Sequence, residues 1–165
     1  LLFESYIFIQ PGWKTTKRLV MRSLIVEDDA LARMLLLSIL SRYGECDVVE
    51  NGEEAVQRVS SSLEEDTPYD IMCLDIVMPI LGGQEALSQI RSIERGRGIK
   101  EHKLLKVIMV TAIEDFDNIM QAFEGGHCEA YLAKPVREEE LLEHLYDLEL
   151  IKEMPQQKDK VREQR

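Results

Sequence analysis

Positive charge is scarce in this sequence: 20 Lys and Arg residues stand against 31 Asp and Glu, and the deficit lies in the middle of the chain. Residues 21–151 hold 12 of the former and 27 of the latter, a balance of −15, while the first 20 and the last 14 residues contribute +2 each. So acidic a body repels nucleic acid and is not expected to bind it. Cysteine is scarcer still. Cys46, Cys73 and Cys128 are odd in number and lack ligand spacing, and Cys73 lies inside an apolar run. That pattern argues against a disulfide framework or a zinc site and makes a reducing cytoplasm the expected compartment. No apolar stretch is long enough to cross a bilayer. The nearest approach, Leu1 to Ile9, is interrupted by Glu4, has no basic region before it and no small-residue cleavage site after it, so neither a signal peptide nor a membrane partner is expected. With 165 residues and 45% hydrophobic side chains, there is material for one core and none for a second catalytic or DNA-binding domain.

What the chain does contain is alternation. Met21 directly precedes the first strand-like run, and Pro11-Gly12 breaks any structure upstream. Residues 1–20 are therefore read as an N-terminal extension, flexible or not native, residues 21–152 as the domain, and residues 153–165 as a polar tail that frays. Apolar runs near Leu24, Ile71 and Val107 alternate with stretches of helical period. The helix candidates carry Val56, Val59 and Leu63; Ala86, Leu87, Ile90, Ile93 and Glu94; Phe116, Ile119, Met120 and Phe123; and Leu141, Leu145 and Leu148. The first helix shows apolar residues around more of its circumference than one buried stripe needs, from Leu31 to Leu40. Five βα units imply a parallel sheet with helices on both faces. The uniformly apolar runs suit central strands, and the mixed ones, Cys46 to Glu50 and Ala130 to Ala133, suit edges. The expectation is an α/β, doubly wound, flavodoxin-like sheet of order 2-1-3-4-5. Asp29 and Asn51 are candidate helix N-caps, Gly44 a candidate helix stop, and Glu138-Glu139-Glu140 an acidic first turn favoured by the helix dipole.

Each apolar run is followed by a reactive group. Glu27-Asp28-Asp29 follow Leu24-Ile25-Val26, Asp75 follows Ile71 to Leu74, Thr111 follows Val107 to Val110, and Lys134-Pro135 follow Tyr131-Leu132-Ala133. Open α/β sheets bind ligands at the carboxyl ends of their strands, so these acids, a hydroxyl and an ammonium are expected at a single edge. Taken singly, each has a bland explanation: a cap, a strand-end hydroxyl, a solvated lysine, a turn former before Pro79. Joint placement in chain order is what singles them out. Clustered carboxylates ask for a cation, and magnesium takes oxygen ligands from one or two carboxylates with phosphate and water completing its shell. An aspartate beside such a cation can attack phosphorus and form an aspartyl phosphate, with Lys134 and Thr111 available to the phosphoryl oxygens.

With those residues on the page, residues 21 to about 151 resemble the receiver domain of two-component response regulators, in a stand-alone form similar to the chemotaxis regulator. The resemblance implies that Glu27 and Asp28 are the acidic pair, that Asp29 is the following cap, and that Asp75, within Leu74-Asp75-Ile76-Val77-Met78-Pro79, accepts the phosphoryl group. Glu27, Asp28, Asp75 and the Val77 backbone carbonyl would hold Mg2+. Thr111 would be the switch hydroxyl, Tyr131 the rotating aromatic, Lys134 the family's lysine, and Lys134-Pro135 a cis peptide, which proline makes inexpensive. Val77 and Ile113 are apolar where a polar side chain could orient an attacking water, so a long-lived phosphoryl group is expected. The segment Gly125 to Glu129 is about one residue longer than usual, and no output domain is expected to follow.

The expected function is thus a single-domain response regulator. It catalyses only its own phosphorylation and slow dephosphorylation, and it signals by protein contact or phosphorelay. Expected partners are a sensor histidine kinase or histidine phosphotransfer domain, docking at Leu31, Leu35 and Val136, and a downstream protein at the fourth helix, fifth strand and fifth helix, a face that could also form a dimer. The alternatives are a scaffold that binds partners without phosphorylation and a magnesium phosphatase. The intact constellation argues against the first. The second lacks an additional acid, since Ile76-Val77 supply none. His102, His127 and His144 are scattered and carry no expectation.

Overall fold

The runs that are apolar throughout become the three central strands, as double-sided burial requires. In a computed structural model that describes residues 20–112 and 128–154, the elements are β1 (Met21–Val26), α1 (Ala30–Leu40), β2 (Gly44–Val49), α2 (Gly52–Glu64), β3 (Ile71–Asp75), α3 (Gly83–Gly96), a 3₁₀ turn (Glu101–Lys103), β4 (Lys106–Ala112), β5 (Ala130–Lys134) and α4 (Glu138–Asp147). All pairings are parallel and the order is β2-β1-β3-β4-β5, the flavodoxin-like arrangement expected. The helix candidate from Phe116 to Phe123, the segment from Gly125 to His127, and the flanks at residues 1–19 and 155–165 lie outside the described residues.

Alternation along the strands splits the core in two. Ile25, Ile71, Cys73, Ile108 and Val110 face one side, where Leu36, Ile39 and Leu40 of α1 and Leu141, Leu142 and Leu145 of α4 cover them. Leu24, Val26, Met72, Leu74, Val107 and Met109 face the other, under Ala55 and Val59 of α2 and Leu87 and Ile90 of α3. Each fully buried Leu or Ile contributes roughly 1.5–3 kcal/mol. Burial also pushes the Cys73 thiol up to about 12, which makes it a packing group.

Two caps form as expected: Asp29 accepts from the Ala32 N–H at 2.8 Å, and Asn51 from the Glu54 N–H at 3.0 Å. Gly44 does not stop a helix. The cap of α1 is Ser41, and Gly44 opens β2 two residues ahead of the expected run, paired with Met21. A side chain there would place its Cβ 1.8 Å from the Met21 carbonyl oxygen, so close backbone approach is the reason for this glycine.

On α3, Arg91 and Glu94 are both buried. Arg91 Nη1 donates to Glu94 Oε2 at 2.8 Å and to the Leu105 carbonyl at 2.9 Å, and the Leu105 N–H donates to Glu94 Oε1 at 2.7 Å. The pair ties α3 to the entrance of β4 and satisfies backbone groups that burial would otherwise leave unpaired.

Candidate active site at the carboxyl edge of the sheet

Strand register brings the chain-distant groups together. Val26 lies opposite Leu74, Asp75 opposite Val110, and Ala112 opposite Lys134, so β1, β3, β4 and β5 end within a few residues of one another along one edge of the sheet. Glu27 is held there by its own N–H, which donates to the Val49 carbonyl at 3.1 Å. Lys134 Nζ reaches along this edge and donates to Glu27 Oε1 and Asp75 Oδ2, each at 2.8 Å. One ligand oxygen from each of Glu27, Asp28 and Asp75 falls within 4.8 Å of the others. Glu27 and Asp75 are buried, at 0% and 4% exposure, whereas Asp28 is exposed and opens the cluster to solvent.

Three buried or half-buried charges at this spacing perturb one another. Burial raises the Glu27 pKa; the Lys134 hydrogen bond opposes that rise, and the Asp75 charge adds to it. Burial acts to lower the Lys134 pKa, but the hydrogen bonds and charges of Asp75 and Glu27 overcome it and leave the ammonium above its ordinary value. Lys134 is thus a cation at any physiological pH. Glu27 Oε2 is buried and accepts no hydrogen bond among the described residues. An orphaned carboxylate oxygen next to two further carboxylates is a donor set that fits a hard divalent cation such as magnesium.

The β3–α3 loop shapes the near wall. The Val77 N–H donates to Asp75 Oδ1 at 3.3 Å, and the Gly83 N–H to the Ile76 carbonyl at 2.9 Å. A Cβ at Gly83 would lie 2.0 Å from the Asp75 carbonyl oxygen, so only glycine lets α3 begin this close to the acid. Between these anchors the Leu81 N–H bonds the Pro79 carbonyl at 2.8 Å and Ile80 takes φ 70, the strained form of a three-residue turn. A β-branched residue there costs about 1–2 kcal/mol.

Residues 23–146 match the family model described as the response regulator receiver domain. The chain belongs to that family. Among curated relatives, the two-component response regulator ORR41 of Oryza sativa is 32% identical over 127 residues, 75% of this chain and 91% of its own length. The chemotaxis protein CheY of Halobacterium salinarum is 32% identical over 126 residues, 76% of this chain and 93% of its own. Among solved structures, the receiver domain of the Arabidopsis thaliana histidine kinase CKI1, complexed with Mg2+ and BeF3−, is similar at TM-score 0.61 and 25% identity, covering 79% of this chain and 91% of that one. The co-crystal structure of the Saccharomyces cerevisiae phosphotransfer protein Ypd1 with the receiver domain of its downstream regulator Ssk1 matches at TM-score 0.61 and 28% identity, over 74% of this chain and 83% of that one.

The other receiver positions distribute as follows. Thr111 is fully buried at the end of β4, and its hydroxyl donates to the Ala112 carbonyl at 3.3 Å rather than to the acid cluster. Tyr131 is half-buried with its hydroxyl inside; burial, followed by the hydrogen bond with the Cys128 side chain, pushes its pKa up. The Lys134-Pro135 peptide is cis. Leu31, Ala32, Leu35, Pro135 and Val136 line a groove together with Asp29 and Lys134. Leu31 and Leu35 are 78% and 37% exposed, while Val136 is buried and forms floor rather than rim. Val77 is 65% exposed, and Ile113 lies outside the described residues. Among the described residues no helix is long and apolar enough to cross a membrane.

One residue escaped the sequence. Arg33 of α1 donates from Nη1 to the Glu27 carbonyl at 2.8 Å and the Asp28 carbonyl at 3.1 Å, and its Nη2 pairs with Glu50 at 3.0 Å. A single arginine five and six positions beyond these acids has no spacing signature, because backbone carbonyls, not side chains, are its partners.

Proposed function

We propose that this receiver domain is a phosphoaspartate switch in which Asp75 accepts a phosphoryl group from a phosphohistidine on a sensor kinase or phosphotransfer protein in the cytoplasm. The observation that carries this reading is Lys134, shared at 2.8 Å between Asp75 and Glu27. The ammonium lies against a buried carboxylate and leaves it facing the opening at Asp28. In the transfer, an Asp75 oxygen forms the new bond to phosphorus as the phosphorus–nitrogen bond of the donor breaks, and the imidazole leaves with the electron pair. Glu27, Asp28, Asp75 and the Val77 carbonyl would hold magnesium, whose charge offsets that of the phosphoryl oxygens. Lys134 exchanges its contact with Asp75 Oδ2 for a phosphoryl oxygen. Thr111 turns its hydroxyl from the Ala112 carbonyl to a second one, and Tyr131 follows behind it, so that phosphorylation shifts a pre-existing balance of conformations.

The groove beside α1, with Leu31 and Leu35 at its rim and Val136 in its floor, receives the donor protein. The downstream protein, or a second copy, binds the face around β5 and α4. Incubation with magnesium and acetyl phosphate tests the assignment. Intact mass is expected to show one added phosphoryl group, absent from Asp75→Asn and absent when EDTA replaces magnesium. No labelling of the wild-type protein would leave a phosphorylation-independent scaffold, and labelling that survives Asp75→Asn would move the acceptor elsewhere.

A further inference from the structure

The acid pair that follows β1 sits on a turn, and a turn is a poor platform for ligands unless something fixes its peptide groups. Glu27 and Asp28 each present a carbonyl to the same guanidinium nitrogen, Arg33 Nη1, at 2.8 and 3.1 Å. The other arm of that guanidinium pairs with Glu50, the residue after β2, at 3.0 Å. The Arg33 side chain is 20% exposed, so the fork is largely shielded from water. Its planar geometry fixes the directions of the N–H bonds that hold two successive peptide groups, whereas the donors of a lysine ammonium rotate. Fixing those planes fixes where the Glu27 and Asp28 side chains leave the backbone.

We infer that Arg33 is a positioning residue for the magnesium site: it holds the Glu27–Asp28 turn in the conformation that turns both carboxylates toward Asp75. It touches neither the cation nor the phosphoryl group. The inference rests on the magnesium site proposed above, and it makes a prediction opposite in sign to a purely electrostatic role. A positive charge this close to a cation site repels the cation, so if charge were all that mattered, removing Arg33 would tighten magnesium binding. If positioning is what matters, removing it weakens binding, on the scale of roughly ten- to hundredfold seen when outer partners of metal ligands are lost.

The experiment is magnesium titration by calorimetry on wild type, Arg33→Ala, Arg33→Met and Arg33→Lys, with the backbone amide resonances of Glu27 and Asp28 recorded in metal-free protein. Arg33→Ala and Arg33→Met are expected to bind magnesium at least about tenfold more weakly. Arg33→Lys, which retains the charge without the fork, is expected to fall between them and wild type. The Glu27 and Asp28 amide resonances are expected to shift or broaden before any magnesium is added. Unchanged or tighter binding in Arg33→Ala and Arg33→Met would overturn the inference, as would full wild-type affinity in Arg33→Lys together with unmoved amide resonances. Should Arg33→Ala fail to fold, Arg33→Met and Arg33→Lys decide the matter. Absence of magnesium binding by the wild-type protein would instead sink the metal site itself.

Discussion

Glu27→Gln asks whether the acid cluster is a source of stability or a cost borne for chemistry. The Glu27 carboxylate is 0% exposed and lies 2.8 Å from Lys134 Nζ, an attraction of about 6 kcal/mol at an effective dielectric of about 20. Its ligand oxygen is within 4.8 Å of that of Asp75, which on the same scale repels by at least about 3.5 kcal/mol. Asp28, exposed and screened, adds a smaller repulsion. More than half of the attraction is therefore cancelled, and the remainder faces a desolvation cost of several kcal/mol for a buried ion. The raised pKa of Glu27 reports the same balance. Glutamine can keep the carbonyl acceptor for Lys134 and for the Asp29 N–H, which donates to Glu27 Oε1 at 3.1 Å, while removing the charge. Metal-free Glu27→Gln is expected to be roughly 1–2 kcal/mol more stable than wild type, about 5 °C in Tm. In magnesium the order reverses, because the variant binds the ion more weakly.

The pH dependence follows from the direction of the shift. A raised native pKa means that the folded protein holds the Glu27 proton more tightly than the unfolded chain does. The stability this supplies is complete below the ordinary carboxyl value of 4.5 and is lost as pH rises through the native value. The gap between variant and wild type in EDTA should therefore widen from pH 5 to pH 8. Urea melts at both pH values, with and without magnesium, are the assay. A variant less stable than wild type at pH 8 without metal, or a gap independent of pH, would refute the reasoning.

Ile80→Gly, which relieves the positive φ of the β3–α3 turn, is expected to raise stability by roughly 1 kcal/mol in urea melts; the conformational freedom glycine adds to the unfolded chain limits the gain. Val77→Asn places a polar side chain, able to orient an attacking water, two residues beyond the proposed acceptor, at a position where the valine is exposed. Loss of the phosphoryl group, followed by mass after removal of acetyl phosphate, is expected to be several-fold faster in that variant, on the order of a 1 kcal/mol change in barrier.

The sheet was legible because burial on both faces demands apolar runs, and β1, β3 and β4 carry them at Leu24–Val26, Ile71–Leu74 and Val107–Val110. The acid cluster was legible because each member directly follows such a run, so strand order alone predicts their meeting. Gly44 misled because a glycine after an apolar helix reads the same whether it ends the helix or admits a neighbouring backbone; only the pairing with Met21 separates the two. Arg91 and Glu94 were opaque for a different reason. Glu94 falls in phase with the apolar face of α3, and what makes its burial tolerable is the Leu105 backbone and a guanidinium one turn earlier, which periodicity does not record. Arg33 was hidden by the same limitation.

Met21, where β1 begins, and Ile151, beyond α4, lie in the same core cluster, and Leu148 and Leu150 pack against it. Since every strand runs toward the acid edge and α4 returns from it, the polypeptide enters and departs at the pole remote from Asp75. Appendages joined near Val20 or past Met154, whether a fluorophore, an affinity handle or a fused protein, are anchored away from the mouth through which a phosphodonor must come. A domain tethered at Val20 or at Met154 can therefore be immobilised and still be interrogated in solution.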